Sequence, residues 1–199
     1  MPRILTGFSL IAALSLSSPV LAQDTTNQTP AAPADQGLAM GETVQDGPQI
    51  GQPYIREVSG DWQLECLKLE EGEEPCQLFQ TMIDDEGNQV SNIRIFKLPA
   101  GGQAVAGALV AVPLETLLTA QLTITVDGAQ PKRYPFSVCD RQGCYARIGL
   151  TAEDIASYKR GASATVTLVP FVAPDERVEV KMSLSGFTAG FDKVTVPTE

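Results

Sequence analysis

Histidine is absent from the 199-residue chain. That absence removes the commonest general base, the commonest metal ligand and the side chain that titrates near neutrality. With them goes any serine or cysteine nucleophile relayed through an imidazole. Positive charge is scarce: 14 lysines and arginines face 24 aspartates and glutamates, for a formal net charge of −10. No basic stripe is present to displace counterions from a phosphate backbone, so nucleic acid is excluded as a partner and anionic lipid is disfavoured. What is left favours binding or structure over catalysis, with an enzyme built on carboxylates as the alternative.

Long apolar runs are missing too. The stretch Ile4–Leu16 is interrupted by Thr6, Gly7, Ser9 and Ser15, whereas a membrane-spanning helix needs roughly 20 apolar residues. Arg3 precedes it, and Ser17-Ser-Pro-Val-Leu-Ala22 follows with small residues where a signal peptidase reads. This is the pattern of a secretory signal peptide over residues 1–22, cut between Ala22 and Gln23. The longest later apolar run, Ala104–Leu114, is too short to span a bilayer. The mature chain is therefore expected to be exported, without a transmembrane segment.

From Gln23 to Pro53 there is no aromatic residue, lysine or arginine, and Ala, Gln, Thr, Gly and Pro dominate. Such a segment buries too little apolar surface to offset the entropy of ordering it, so residues 23–53 are expected to form a disordered linker. One folded domain over 54–199 follows, of a size that suits a single core. Its pattern is mostly of period two: Trp62, Leu64 and Cys66; Leu122, Ile124 and Val126; Val178, Val180, Met182 and Leu184. Further strands are expected near 77–83, 91–98, 104–112, 133–139, 144–149 and 164–171, divided by turns rich in Asp, Gly, Asn and Pro. One short helix is expected between Thr151, which caps with Asp154 three residues on, and Gly161, with Ile155 and Tyr158 on its buried face. The fold class is all-β: an antiparallel, immunoglobulin-like β-sandwich of about nine strands with one short helix.

The four cysteines, Cys66, Cys76, Cys139 and Cys144, are even in number in a chain bound for an oxidising compartment. Three pairings are possible. The four residues between Cys139 and Cys144 suit a hairpin that sets the two cysteines opposite each other, and Cys66 with Cys76 follows by elimination. The rival, a four-cysteine zinc site, usually brings its ligands in tighter pairs than the nine-residue gap after Cys66 allows. No cofactor or metal is expected.

Glu70, Glu71, Glu73 and Glu74, and again Asp84, Asp85, Glu86 and Asn88, invite thoughts of calcium. Neither has the spacing of a calcium loop, and both read as solvated hairpin tips. Trp62, alone of its kind and on an alternating face, reads as core. Arg141, Tyr145 and Arg147 flank the second cysteine pair and form a candidate interaction patch, since hairpin tips often carry binding residues.

In order along the chain come Gly60-Asp-Trp62, Cys66, Cys76, Gln80, Pro113-Leu114, Phe136-x2-Cys139-x3-Gly143-Cys144-x-Ala146 and Ser183-Leu-Ser-Gly-Phe187. This series resembles the bacterial invasion-associated locus B proteins across about Val58 to Val194. Glu115 stands where many relatives are expected to have glycine. The resemblance implies a periplasmic or secreted β-sandwich of Gram-negative α-proteobacteria, named for a role in host-cell entry, and brings no catalytic residues. The expected function is a non-enzymatic periplasmic, cell-envelope or surface module that binds an unidentified protein or envelope partner. The alternative is a periplasmic hydrolase using two carboxylates. N-terminal mass analysis of the exported protein should find a chain beginning at Gln23 or within a few residues of it; intact Met1 in the envelope fraction would refute the cleavage.

Overall fold

A computed structural model describes Gly41 and residues 47–196. The signal peptide, the Ala22–Gln23 junction and the expected linker up to residue 46, Gly41 apart, lie outside the described residues. Among the described residues eleven strands are present: β1 (Pro53–Ser59), β2 (Trp62–Leu67), β3 (Cys76–Ile83), β4 (Gln89–Lys97), β5 (Ala106–Val112), β6 (Leu122–Val126), β7 (Lys132–Tyr134), β8 (Phe136–Cys139), β9 (Cys144–Leu150), β10 (Ser163–Leu168) and β11 (Val178–Ser183). Two helices, α1 (Ala152–Arg160) and α2 (Phe187–Asp192), flank the last pair of strands. A seven-stranded sheet runs β1-β2-β3-β4-β5-β9-β8, and a four-stranded sheet runs β11-β10-β6-β7. Every pairing is antiparallel.

Alternation dictates which side chains meet between the sheets. Trp62 and Leu64 of β2, Leu78 and Met82 of β3, Ile93 and Ile95 of β4 and Val110 of β5 join Leu122, Ile124, Val166, Val180 and Met182 of the smaller sheet in one buried cluster. The sandwich is thus the antiparallel one the period-two pattern requires. Helix α1 begins where expected: the Thr151 side chain accepts from the Asp154 N–H, the Asp154 carboxylate accepts from the Thr151 N–H, and Ile155 and Tyr158 are buried.

Three departures have physical causes. The expected strand over 133–139 is two strands in different sheets, β7 and β8, because Pro135 lacks the N–H a continuous ladder needs. β1, which no alternating pattern announced, is an edge strand with a register shift between Ile55 and Glu57, and it buries little of its length. α2 is too short to show a helical period, yet it seats Phe187 against Trp62, Tyr158 and Phe191, with ring centroids 5.4, 5.5 and 5.4 Å away.

The two sheets are clasped at Gln80 of β3, which is 5% exposed. Its Nε2 donates to the carbonyls of Asp61 (3.2 Å) and Ser183 (3.0 Å), and its Oε1 accepts from the Ser183 N–H (2.8 Å). The Trp62 Nε1 donates to the same Ser183 carbonyl at 2.9 Å, and the Ser183 hydroxyl donates to the Asp61 carboxylate. Gly60 (φ 57°) and Gly186 (φ 83°) let the two turns touch backbone to backbone. A Cβ on Gly60 would lie 2.5 Å from the Ser185 carbonyl oxygen, and one on Gly186 would collide with that of Ser59.

Both cysteine pairs are cross-strand neighbours, Cys66 with Cys76 between β2 and β3 and Cys139 with Cys144 between β8 and β9. Their Sγ atoms are 2.01 and 2.08 Å apart. Between the first two cysteines, Glu74 turns back onto β1, accepting from Lys68 Nζ (2.8 Å), the Tyr54 hydroxyl and the Arg56 guanidinium.

Gln80→Ala should cost about 3 kcal/mol in urea unfolding, because it strands the Ser183 N–H and loosens two turns at once; a loss under about 1 kcal/mol would show the clasp to be incidental. Glu74 supplies a pH signature. Hydrogen bonds from Lys68, then Tyr54, hold its carboxyl at about 2 against an ordinary 4.5. A depressed folded-state value stabilises the fold above the ordinary value, and that contribution is lost as pH falls toward about 2. Stability measured across this acid range should fall less steeply in Glu74→Gln than in the wild type, and identical slopes would contradict the assignment.

Candidate binding face

One side of the seven-stranded sheet packs on the core, and its other side faces outward. The register brings residues far apart in sequence into rows there: Gln63, Phe79, Arg94, Leu109 and Arg147 form one, and Asn92, Ala111, Tyr145 and Val138 another. A third row places Phe96 beside Gly107, which is in turn opposite Gly149. With no side chain on β5 or β9 in that row, the surface dips, and the Phe96 ring lies over Gly107 where a Cβ would stand 2.5 Å from it. The result is a shallow groove of about 610 Å³ lined by Phe96, Leu98, Leu109, Val138, Tyr145 and Arg147, with Asp140 at its hairpin end.

Tyr145 and Arg147, expected to act together, do share this groove. Arg141 does not: it sits in the exposed turn between β8 and β9, outside the lining. Asp140 organises that turn, its Oδ1 accepting from the N–H groups of Gln142 (2.7 Å) and Gly143 (3.2 Å) and from the Tyr145 hydroxyl (3.3 Å). Burial, then the Asp140 charge, moves the Tyr145 phenol upward. It stays a neutral donor at physiological pH. Arg94 lies over the Phe79 ring at 4.7 Å and reaches Glu65 at 3.4 Å. Among the described residues Arg147 has neither an ion pair nor a side-chain hydrogen bond, so its charge is free to meet a ligand.

A second depression, about 420 Å³, adjoins the first across Phe96 and is walled by Pro53, Leu67, Pro75 and the Cys66–Cys76 pair. The sequence did not single out Phe96, Leu98, Leu109 or Val138, since outward positions on four strands converge only once register is known. Gly107 and Gly149 were the available signal, because glycine inside a strand marks a close approach.

In the second acidic cluster Asp84 is spent locally. Asp84 Oδ1 accepts from the N–H groups of Glu86 and Asn88 at 3.0 and 2.8 Å, closing a tight turn. Asp154 is buried, which opposes ionisation, but bonds from Lys132 and Thr151 outweigh that and lower its pKa. Bonds from Lys193 to Glu57, Asn88 to Asp84, Ser163 to Asp127 and Lys159 to Asp192 lower those carboxyls likewise. Trp62 is fully buried, as a core residue should be.

Comparison with known proteins agrees with the ordered motif series. The family model for the Invasion associated locus B (IalB) protein matches residues 62–195. Two proteins of Brucella abortus, from strain 2308 and from biovar 1 strain 9-941, each named an invasion protein B homolog, are 27% identical over 149 residues, covering 75% of this chain and 84% of theirs. The crystal structure of invasion associated protein B from Bartonella henselae superposes with a TM-score of 0.58 at 21% identity, over 69% of this chain and 92% of that one, and shows the same fold. With the family model spanning Trp62 to Thr195, from the strand that opens the clasp to the loop after α2, this chain belongs to the invasion-associated locus B family.

Proposed function

We propose that the protein is exported and works without catalysis, as a periplasmic or cell-envelope interaction module that grips a partner on the outward face of its larger sheet. The groove carries this reading: an apolar floor built on rigid strands, a neutral phenol, and the unpaired guanidinium of Arg147. Ligand sites commonly combine an apolar lining with a few placed polar groups in this way. The names of the Brucella and Bartonella relatives tie the family to invasion, which makes contact with a host cell a candidate setting.

The carboxylate hydrolase is less well supported. Such an enzyme needs one carboxyl held protonated near another that is ionised. Among the described residues every aspartate or glutamate with a displaced pKa has it moved down, toward the ionised form.

Photo-crosslinking in intact cells tests the proposal. A crosslinker replacing Tyr145 should yield one discrete adduct, and Arg147→Glu should reduce it at least fivefold. The same crosslinker at Thr123, on the other sheet, should yield none. Equal labelling from both positions would rule the groove out as the interaction surface.

A further inference from the structure

Four strands end the two sheets, and three of them carry charged residues that discourage pairing with another chain. β1 has a register shift and the charges of Arg56 and Glu57, β7 is three residues long with Lys132 and Arg133, and β11 carries exposed Glu179 and Lys181. Short, irregular or charged edges are how sheets avoid unwanted augmentation. β8, Phe136-Ser-Val-Cys139, is itself four residues long with a register shift between Phe136 and Val138, but it alone has no charged residue, and Ser137, Val138 and Cys139 are exposed, Val138 to 56%.

Register sets where its backbone points. The bond from the Asp140 N–H to the Gly143 carbonyl, 2.9 Å, makes Cys139 and Cys144 a non-hydrogen-bonded pair, and their Cα atoms are 4.0 Å apart. In such a pair the N–H and C=O of each residue turn away from the partner strand. Those of Cys139 therefore face the open edge. Val138, on the same strand, is also a wall of the groove, so this edge and the groove are one continuous surface.

We infer that the partner is an extended peptide segment that adds to the seven-stranded sheet along β8, with an apolar side chain over Val138 and a carboxylate directed at Arg147. This rests on the reading of the outer face as the interaction surface. Backbone pairing supplies affinity in such additions, and the pocket beside the edge supplies selectivity. An added strand lies about 10 Å from β9, two strand spacings, a gap that an arginine and a glutamate reaching toward each other close. A second copy of this chain is disfavoured by its net charge of −10, which makes copies repel.

The test uses eight-residue synthetic peptides of alternating valine and threonine carrying one glutamate or one lysine, with matched versions N-methylated at alternate amides. Binding and the hydrogen exchange of the Cys139 amide are followed by NMR on the whole mature protein. The glutamate peptide should slow exchange at Cys139 at least tenfold, the N-methylated version should not, and Arg147→Glu should switch the preference to the lysine peptide. Val138→Lys, at an exposed position, should weaken all peptides at least fivefold while leaving the core resonances in place. No protection at Cys139 at millimolar peptide, or equal protection by the N-methylated form, would overturn strand addition. Protection that rises with protein concentration alone would assign the edge to a second copy instead. Loss of strand addition with the Tyr145 crosslink intact would leave the interaction surface standing and remove only this mode of using it.

Discussion

The fold depends on one buried carboxamide. Gln80 is buried in the larger sheet, so its donor and acceptor must both be met, and they are met by the backbone of the β1–β2 turn and of Ser183 at the end of β11, which belong to different sheets. Hydrophobic burial brings the sheets together without fixing how they sit, because it is non-directional. Directional bonds at Gln80 and Trp62 fix it, and the two glycines at positive φ make the approach short enough for those bonds to form. A larger residue at either glycine would push the turns apart and leave Ser183 unsatisfied.

This explains what the ordered motif means. Gly-Asp-Trp, Gln80 and Ser-Leu-Ser-Gly-Phe are separated by up to about 120 residues yet meet in one clasp, with Phe187 continuing it into the aromatic cluster around α2. The residues on which the resemblance was drawn are those that hold the two sheets of this chain together. Val138 and Tyr145 fall in the gaps of the motif, and Phe96, Leu98, Leu109 and Arg147 lie outside it altogether. The clasp and the groove use different residues, so the motif series speaks to fold more than to partner.

How much of this was legible depended on whether a feature is local. The inward faces of β2, β6 and β11 were plain from alternation, and the start of α1 from a capping pair three residues apart. The hairpin cysteines were legible for the same reason. β1 was not, because an edge strand exposed on most of its length has no apolar face to announce it. The division of 133–139 at Pro135 had its signal in the sequence, and the period-two pattern on either side concealed it. Tyr145 and Arg147 were singled out because they neighbour the hairpin; the rest of the groove needed the register of four strands.

An edge left free for a partner must be held in place by something other than a partner. β8 is only four residues long and pairs on one side alone, which by itself would invite fraying. The link between Cys139 and Cys144 closes a six-residue loop at its end, worth about 2 kcal/mol on the loop-entropy account, and Asp140 draws the turn together with three further bonds. Buried Cys144 anchors that link to the core while Cys139 stays exposed. A covalent tie thus supplies the order that a neighbouring strand would otherwise give, and it leaves the outward N–H and C=O of Cys139 unspent.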